Sequence, residues 1–377
     1  MSGVSETISA IDLWHLYVPV TATRDHGIGR VAREVEVVVV RLRSSGGAVG
    51  YGEAACWSVF TGTPEGAFAA INRYFRPHVI GARCDAIPEI MAKVRKAVAF
   101  QSDAKAALET ALYDLLGRIK GVPVWALLGG KSRDEIPLSV SLANPDFAAD
   151  LDLAAQLETD GVRLVKLKAG VADHAFDLKR FDALAERHPC LEVRVDYNQG
   201  LTPHEAAYRV REMDAAGPAF IEQPVAASEF GLMRRLRETS ETPILADESV
   251  FGPEDMHRAV AEGICDGVSV KVMKAGGLSR AQTVANMASA AGLTAYGGDM
   301  FETGLGHLAG VHTLAATPAI NLGCEFYQAK YYLTEDILTD PFPIKNGNVV
   351  VPDGPGLGIL PDEEKLAHFA RRTTVKH

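Results

Sequence analysis

The chain has 377 residues, of which 47% are hydrophobic and 23% are charged, a composition that is ordinary for a globular protein and excludes wholesale disorder. Its 48 acidic and 38 basic residues give a formal net charge of −10, so we expect no binding to nucleic acid. No apolar run approaches the roughly 18 residues that a membrane-spanning helix requires, so we expect no membrane insertion.

The cysteines and the amino-terminal segment predict a cellular compartment. The five thiols are scattered, and none is paired as CxxC: Cys56, Cys84, Cys190, Cys265 and Cys324. An odd number of unclustered cysteines argues against a disulfide framework and against a zinc site. The first 20 residues have no basic region ahead of an apolar stretch, which argues against secretion. We therefore predict a cytoplasmic protein with reduced thiols.

The first 130 residues predict an α+β domain. Residues 8–18 and 35–42 are apolar and rich in β-branched side chains, as in strands, and a glycine-rich hairpin turn follows the second run. Helical patterns cover residues 64–98. Residues 104–120 form the strongest predicted helix, because their apolar side chains keep the i, i+3, i+4 spacing of one buried stripe.

After residue 130, short apolar runs alternate with helical stretches. Eight strands are predicted, at 137–142, 163–168, 192–196, 219–222, 243–247, 267–271, 293–298 and 319–325. Their ends recur about every 24 to 28 residues from the second strand onward, the length of one strand–helix unit, which predicts a parallel (β/α)8 barrel of the TIM type. An open doubly wound sheet is the alternative, but no GxGxxG motif follows the first strand.

The predicted fold is thus α/β, with a first domain at 1–130 and a barrel at 131–340. The tail at 341–377 is predicted to pack back on the first domain. Active sites of such barrels lie at the carboxyl ends of the strands. Lys166 and Lys168 end the second strand, and Asp196 and Asn198 end the third. Because residues i and i+2 of a strand share a face, each pair points into the barrel mouth together.

Three acids predict a metal site. Asp196, Glu222 and Asp247 end three consecutive strands, so their carboxylates converge. Without a cation they would repel one another and raise one another's pKa. Carboxylate oxygens suit Mg²⁺ or Mn²⁺ with positions left open for substrate and water. A single acid at a strand end is commonly a helix cap, but three in register between lysines favour the metal.

Two lysines predict acid–base chemistry. Lys168 and Lys271 end strands that are four apart in an eight-stranded barrel, so they face each other across the mouth. A carboxylate bound at the metal would lie between them, with one amine on each side of its α-carbon. The free pKa of lysine, about 10.4, is too high for a base at neutral pH, but burial, a metal and Lys166 can lower it. Lys274 follows the strand and is expected to be a solvated surface residue.

The motifs KxK, DYN, IEQP, ADES and VKVMKAGG, taken together, resemble those of the enolase superfamily and specifically its muconate lactonizing subgroup. The resemblance extends over nearly the whole chain and includes the spacing between motifs. It implies metal ligation by the three acids and acid–base roles for Lys168 and Lys271. It also implies that Lys166 is their electrostatic partner and that Glu325 is a carboxylate near the substrate.

The resemblance further implies that the first domain caps the barrel. Two loops, at about 23–30 and 56–63, would then contribute to specificity, with these candidate substrate contacts: Arg24, His26, Arg30, Trp57 and Phe60. Asn198 and Asp299 are the candidates on the barrel. The expected substrate is a small carboxylate, and the expected assembly is a homo-oligomer.

Three functions remain open from the sequence. The first is a muconate cycloisomerase, in which a lysine transfers a proton at the α-carbon of an enolate. The second is a racemase, epimerase or dehydratase of an amino-acid-like carboxylate, for example a proline derivative. Asp299 favours it, because a carboxylate there repels a dianion and attracts an ammonium group, unless Arg24 or Arg30 neutralises it. The third is a barrel without catalysis that only binds.

Overall fold

The computed structural model describes residues 6–370. An antiparallel sheet opens the chain and contains β1 (Ile8–Pro19), β4 (Glu34–Ser44) and β5 (Val49–Ala55) in the order β1-β4-β5. A small hairpin of β2 (Arg24–His26) and β3 (Gly29–Val31) projects between β1 and β4. The strands predicted at 8–18 and 35–42 are therefore present, each extended by one or two residues at its ends.

Helices cover one face of this sheet. They are α1 (Pro64–Ala69), a π-helical turn (Ala70–Phe75), α2 (Arg76–Val79), α3 (Ile87–Ala97), α4 (Ser102–Lys120) and α5 (Val124–Leu127). The predicted helix is α4, which packs directly on β5. A Cβ at Gly52 would lie 2.0 Å from the carbonyl oxygen of Ala107, so the close approach of α4 to β5 requires glycine there.

The second half of the chain forms a parallel sheet whose seven strands follow chain order. They are β7 (Ser139–Leu142), β8 (Leu164–Lys168), β9 (Glu192–Asp196), β10 (Ile221–Glu222), β11 (Ile244–Ala246), β12 (Gly267–Val270) and β13 (Thr294–Gly297). The helices between and after them are α6 (Phe147–Thr159), α7 (His174–Arg187), α8 (Pro203–Ala216), α9 (Phe230–Thr239), α10 (Pro253–Glu262), α11 (Val272–Ala275), α12 (Leu278–Ala290) and α13 (Gly304–Ala315).

The eighth predicted strand, at 319–325, is reduced to one residue. Cys324 forms parallel bridges to both Leu138 and Gly297, and so joins the first strand of the sheet to the last. Gly323 has φ +79°, a left-handed conformation that interrupts an extended strand just before this bridge. The sheet still closes into the (β/α)8 barrel, but its last strand contributes one bridging residue instead of seven.

The first predicted barrel strand, 137–142, is divided. Its start belongs to β6 (Glu135–Pro137), which pairs antiparallel with β15 (Asn348–Val350), itself paired with β14 (Ile344–Lys345). The tail thus contacts the segment that leads into the barrel, and it contacts the first domain as well. α14 (Gln328–Tyr331) precedes it, and α15 (Glu363–Phe369) packs against β1.

The domain division at residue 130 stays a prediction, and residues 371–377 of the predicted tail lie outside the described part of the chain. Within residues 6–370, none of the helices has both the length and the apolar composition that crossing a bilayer requires.

Candidate active site

A small cavity of about 30 Å³ lies where the barrel strands end. Five of the predicted barrel residues line it or lie at its base, and three residues of the first domain close it. The lining residues are His26, Trp57, Phe60, Ser141, Lys168, Asn198, Lys271, Asp299, Met300, Phe301, Glu325, Tyr327 and Gln328. Lys168 and Lys271 therefore share one cavity, although they are 103 positions apart in the sequence.

The three predicted metal ligands are buried at the ends of β9, β10 and β11, and each contacts a lysine. Lys168 Nζ lies 2.5 Å from Asp196 Oδ2, and Lys271 Nζ lies 2.6 Å from Asp247 Oδ2. Lys166 Nζ lies 2.9 Å from Glu222 Oε2. The ammonium groups thus compensate the charge of the acids in this arrangement, as buried carboxylates require.

Lys166 is the most enclosed of these lysines, with a side chain that is 1% exposed. Its ammonium group also lies 2.6 Å from Glu325 Oε2 and 3.3 Å from Asp196 Oδ2. Burial alone would lower the pKa of Lys166, but Glu222, Glu325 and Asp196 outweigh burial and hold that pKa well above its usual value. Lys166 is therefore a fixed positive charge among three carboxylates.

Two buried oxygens of the acid cluster have no hydrogen-bond partner, Glu222 Oε1 and Glu248 Oε2. Burial and the neighbouring Asp196 and Asp247 raise the pKa of Glu222 to about 7, against the effect of Lys166. Burial and the same two aspartates raise the pKa of Glu248 to about 8. Buried carboxylate oxygens that lack a partner fit a hard divalent cation, which prefers oxygen ligands.

The carboxylates must turn to bind such an ion together. Among residues 6–370, the groups whose ligand atoms all lie within 4.8 Å of one another do not include Asp196, Glu222 and Asp247 as a set. Each of these acids is oriented toward its own lysine instead. Since the lysines are on flexible four-carbon stems, exchange of lysine for metal requires side-chain rotation but no change in the strands.

The expectation that Lys274 is a surface residue is wrong. Its side chain is 1% exposed, and its Nζ donates to Asp247 Oδ1 at 2.6 Å and to the Asp247 carbonyl at 2.7 Å. The reason is local: α11 begins at Val272, directly after Lys271, so one helical turn returns position 274 toward the strand ends. A helix of four residues is too short to produce a periodic pattern, so the sequence carried no signal for this burial.

We expect Lys274→Met to lower the free energy of unfolding of the metal-free protein by about 3 kcal/mol, because it leaves the buried charge of Asp247 without one of its partners. Urea denaturation measures this. Lys93→Met is the matched control, since Lys93 pairs with Glu89 at an exposed site and such pairs contribute little. Equal stability of the two variants would show that Asp247 does not depend on Lys274.

Asn198 connects Lys168 to an acid that the sequence interpretation left without a role. Its side-chain oxygen accepts from Lys168 Nζ at 3.0 Å, and its side-chain nitrogen donates to Glu248 Oε1 at 3.2 Å. Its backbone N–H donates to Asp196 Oδ1 at 2.7 Å. Ser141 was also missed, and its hydroxyl donates to Glu325 Oε1 at 2.7 Å. Ser141 stands inside a predicted strand that also contains Ser139, and serines in a strand carry no distinctive signal.

Aromatic rings of the first domain and the barrel close the cavity. His26, Trp57 and Phe301 pack edge to face, with ring centroids 5.2 to 5.4 Å apart. Burial, Lys168 and Arg24 hold the pKa of His26 well below its usual value, so its imidazole is neutral. The Phe60 ring centroid lies 4.7 Å from Lys271 Nζ, a cation–π distance.

The two arginines of the first loop do not line the cavity. Arg24 is buried behind it, donates to the Ser141 carbonyl at 2.7 Å and to the Tyr327 hydroxyl at 2.9 Å, and so supports the wall. Arg30 is exposed and pairs with Asp25 within its own hairpin. Arg24 therefore contacts two residues of the cavity wall, and Arg30 is engaged outside the cavity.

Asp299 lines the cavity, and its partner is Gln328, whose side-chain amide donates to Asp299 Oδ2. The alternative that Arg24 or Arg30 neutralises Asp299 is therefore wrong, since both arginines bind elsewhere. Burial, followed by the nearby charges of Glu325 and Glu302, holds the pKa of Asp299 well above its usual value. A cationic group that entered the cavity would counter this effect and favour the ionised carboxylate.

Two family models match this chain. The family model of the enolase C-terminal domain-like region matches residues 149–365. The model of the mandelate racemase/muconate lactonizing enzyme N-terminal domain matches residues 12–129. Muconate cycloisomerase 1-1 of Acinetobacter lwoffii is 35% identical over 347 residues, which are 90% of each chain.

Two solved structures are similar over almost the whole chain. A muconate cycloisomerase from Azorhizobium caulinodans is 40% identical with a TM-score of 0.86, over 98% of this chain and 99% of that one. A muconate lactonizing enzyme from Pseudomonas fluorescens, complexed with muconolactone, is 31% identical with a TM-score of 0.94, over 98% and 100% of the two chains. The chain therefore belongs to the mandelate racemase/muconate lactonizing enzyme family of the enolase superfamily.

Proposed function

We propose that the protein transfers a proton at the carbon α to the carboxylate of a small substrate, with Lys168 and Lys271 as the acid–base pair. The observation that carries the proposal is that these two lysines, from strands β8 and β12, line one cavity together with Asn198 and Glu325. Two amines on different sides of one cavity can each reach the α-carbon of a substrate held between them.

Asp196, Glu222 and Asp247 would hold the divalent cation that enzymes of this superfamily use, and we propose Mg²⁺ or Mn²⁺. When bound, such an ion supplies positive charge that stabilises the enolate form of the substrate carboxylate. Lys166 would add a second fixed positive charge beside it. Glu325, held by Lys166 and Ser141, lines the same cavity and would also face the substrate.

The first candidate reaction is muconate cycloisomerisation, which the similar proteins named above perform. In that reaction one carboxylate of the diacid adds to a carbon–carbon double bond, and a lysine donates a proton to the α-carbon of the resulting enolate. A carbon–oxygen bond forms, the double bond is lost, and the product is a lactone. No redox partner is required.

The second candidate is racemisation, epimerisation or dehydration of an amino-acid-like carboxylate, and Asp299 is the observation that favours it. Asp299 and Glu325 both line the cavity, and the arginines of the first loop are engaged elsewhere. Two acids suit the ammonium or imino group of an amino acid better than the distant carboxylate of a dianion.

The experiment that tests the proposed function is α-proton exchange in deuterium oxide with Mg²⁺ present. The substrates would be muconates, N-acyl amino acids and proline derivatives, and mass spectrometry would read deuterium at the α-carbon and the product formed. Exchange with any of these carboxylates is the expected result. Tight substrate binding without exchange, elimination or cyclisation would support the non-catalytic barrel instead.

Asp299→Asn separates the two candidates. At about 5 Å and an effective dielectric near 20, one charge contributes roughly 3 kcal/mol of gross interaction, and a third of that is about fivefold to tenfold in affinity. For a substrate with an ammonium group we therefore expect the Michaelis constant to rise by about that factor. For a muconate dianion the interaction with Asp299 is repulsive, so its removal should leave lactonization unchanged or improve it. Steady-state kinetics with both substrates measures this, and an equal response of both would remove Asp299 from substrate discrimination.

We also propose, from composition and family, a cytoplasmic location and a homo-oligomeric assembly. Size-exclusion chromatography with light scattering tests the assembly directly.

A further inference from the structure

A second group of acids lies beside the active-site cavity, where the chain passes from β13 to α13. Asp299 and Glu302 follow β13, and His307 stands near the start of α13. One possible ligand atom from each of the three side chains lies within 4.8 Å of the other two, a spacing close to that around one metal ion. We call these three residues the β13 cluster. Asp299 also lines the active-site cavity, which gives an ion a path to the cluster.

His307 is the member of the cluster that points most directly to a metal. Its side chain is 0% exposed, yet neither ring nitrogen has a hydrogen-bond partner in the described part of the chain. Nε2 lies 3.5 Å from Glu302 Oε2, so this nitrogen faces the acids. Phe326 stacks on the ring with centroids 5.2 Å apart, and Phe342 packs edge to face against it. A buried imidazole normally bonds through a ring nitrogen, and a metal ion among the acids would meet that requirement.

The acids of the β13 cluster also lack a basic partner. At the barrel mouth each predicted metal ligand contacts a lysine. Within residues 6–370, by contrast, neither Asp299 nor Glu302 forms an ion pair with a lysine or an arginine. Asp299 accepts from the Gln328 amide, and Glu302 accepts the Met300 backbone N–H at 2.5 Å. Two carboxylates this close require positive charge if both are to be ionised, and a divalent ion supplies it.

The positive end of α13 does not supply this charge, because two other acids already bind it. Glu53 accepts the Thr303 backbone N–H at 2.9 Å and also the Thr303 hydroxyl, and Asp336 accepts the Gly304 N–H at 2.8 Å. Burial raises the pKa of Glu53 to about 8 against the hydrogen bonds from Thr303, and the charges of Glu302 and Asp336 add to the effect of burial. The surroundings of the cluster are therefore acidic, which attracts a cation.

The donor atoms of the β13 cluster favour a different ion from the one expected at the strand ends. One imidazole with two carboxylates suits Zn²⁺ or a similar borderline ion, whereas Mg²⁺ prefers ligands that are all oxygen. Gln328 offers a further neutral oxygen beside Asp299, since its Oε1 is buried and has no hydrogen-bond partner among the described residues. Three protein ligands, or four with this amide, are within the range of known zinc sites.

We propose that Asp299, Glu302 and His307 form a second metal site, which binds Zn²⁺ or a similar ion and is separate from the three acids at the strand ends. The ion fixes the segment between β13 and α13, and so fixes Met300 and Phe301, which line the active-site cavity. It also neutralises Asp299, so the zinc-loaded protein has less attraction for an ammonium substrate and favours the muconate candidate. That consequence rests on the proposed function, whereas the site itself does not.

Anomalous diffraction from a crystal soaked with Zn²⁺ tests the site, with data collected above and below the zinc absorption edge. We expect a zinc peak between His307 and the two acids, and its loss in His307→Gln. His15→Gln is the matched control and should keep the peak. His15 is also buried beside acids that could hold a metal, but its Nε2 already bonds to Glu36 at 2.9 Å. Zinc found only at the strand-end acids, or only at His15, would overturn the proposal.

Isothermal titration with Zn²⁺ tests the same site in solution. Glu222→Gln is the background, because it weakens the strand-end site. This variant should still bind one zinc ion tightly, and addition of His307→Gln should weaken that binding about 100-fold, whereas addition of His15→Gln should not. Asp299→Asn, which keeps the shape of the side chain, replaces His307→Gln if thermal unfolding shows that the latter is not folded.

The two experiments separate the second metal site from the proposed function, because neither requires turnover. Zinc bound at His307 in a protein that exchanges no α-proton would support the site while the proposed function fails. α-Proton exchange in a protein whose Glu222→Gln variant binds no zinc tightly would overturn the site alone.

Discussion

Lys168→Ala and Lys271→Ala are each expected to lower turnover by about 10²–10⁴-fold, the range that general acid–base catalysis supplies. Both ammonium groups line the small cavity, and each is held by one of the predicted metal ligands. Metal binding at those acids would release the amines toward the substrate. Thermal unfolding should show that both variants are folded.

Isotope exchange distinguishes a reaction with one catalytic lysine from a reaction with two. In an epimerase, each single variant should still exchange the α-proton of one enantiomer but not of the other, because the remaining lysine reaches only one side. Lys179→Ala is the control, since Lys179 is an exposed lysine of α7. If Lys271→Ala keeps full turnover while Lys168→Ala does not, a reaction with a single base is the better account.

Removal of divalent metal is expected to abolish activity, and Mg²⁺ or Mn²⁺ should restore it. Asp196→Asn, Glu222→Gln and Asp247→Asn should each weaken metal binding by more than about 100-fold, because loss of a ligand exceeds the 10–100-fold cost of losing an outer partner. Isothermal titration with Mn²⁺ measures the affinity independently of activity. Glu192→Gln, at the exposed start of β9, is the control for loss of one carboxylate.

The two carboxylate oxygens without a hydrogen-bond partner add a prediction about stability. Glu222 Oε1 and Glu248 Oε2 are buried without partners, so a bound cation should also stabilise the fold. A metal-dependent rise in the melting temperature is expected for the parent chain and not for Glu222→Gln. Full activity in a chelated, metal-free sample would contradict the three-carboxylate site.

The barrel and the cluster of acids and lysines at its mouth could be predicted from the sequence because both follow from the order of the strands along the chain. Parallel strands that follow chain order place their carboxyl ends on one rim, so polar residues that end successive strands must converge. Lys168, Asp196 and Glu222 end their strands in the structure as predicted. The resemblance to the enolase superfamily, which the family models confirm, rested on the same strand ends.

The features that could not be predicted depend on contacts between distant segments. The burial of Lys274 follows from a four-residue helix directly after β12, which is too short to produce a periodic pattern. The partner of Asp299 is Gln328, 29 residues away in a segment with no regular strand pattern. The cavity of about 600 Å³ beside Phe60 exists only where α3 and α4 meet the barrel, so no single segment predicts it.

The single-residue closure at Cys324 has a consequence for the order of folding. Ser139 N–H donates to the Cys324 carbonyl, and Cys324 N–H donates to the carbonyl of Pro137. The first barrel strand therefore gains this partner only when the ribosome has added about 185 further residues. In the same way, β6 can pair with β15 only near the end of synthesis. During synthesis both are therefore unpaired sheet edges, which are prone to wrong pairing until the last part of the chain arrives. Completion of the fold is thus a late, long-range event, although most of its strand pairs are between neighbours in the chain.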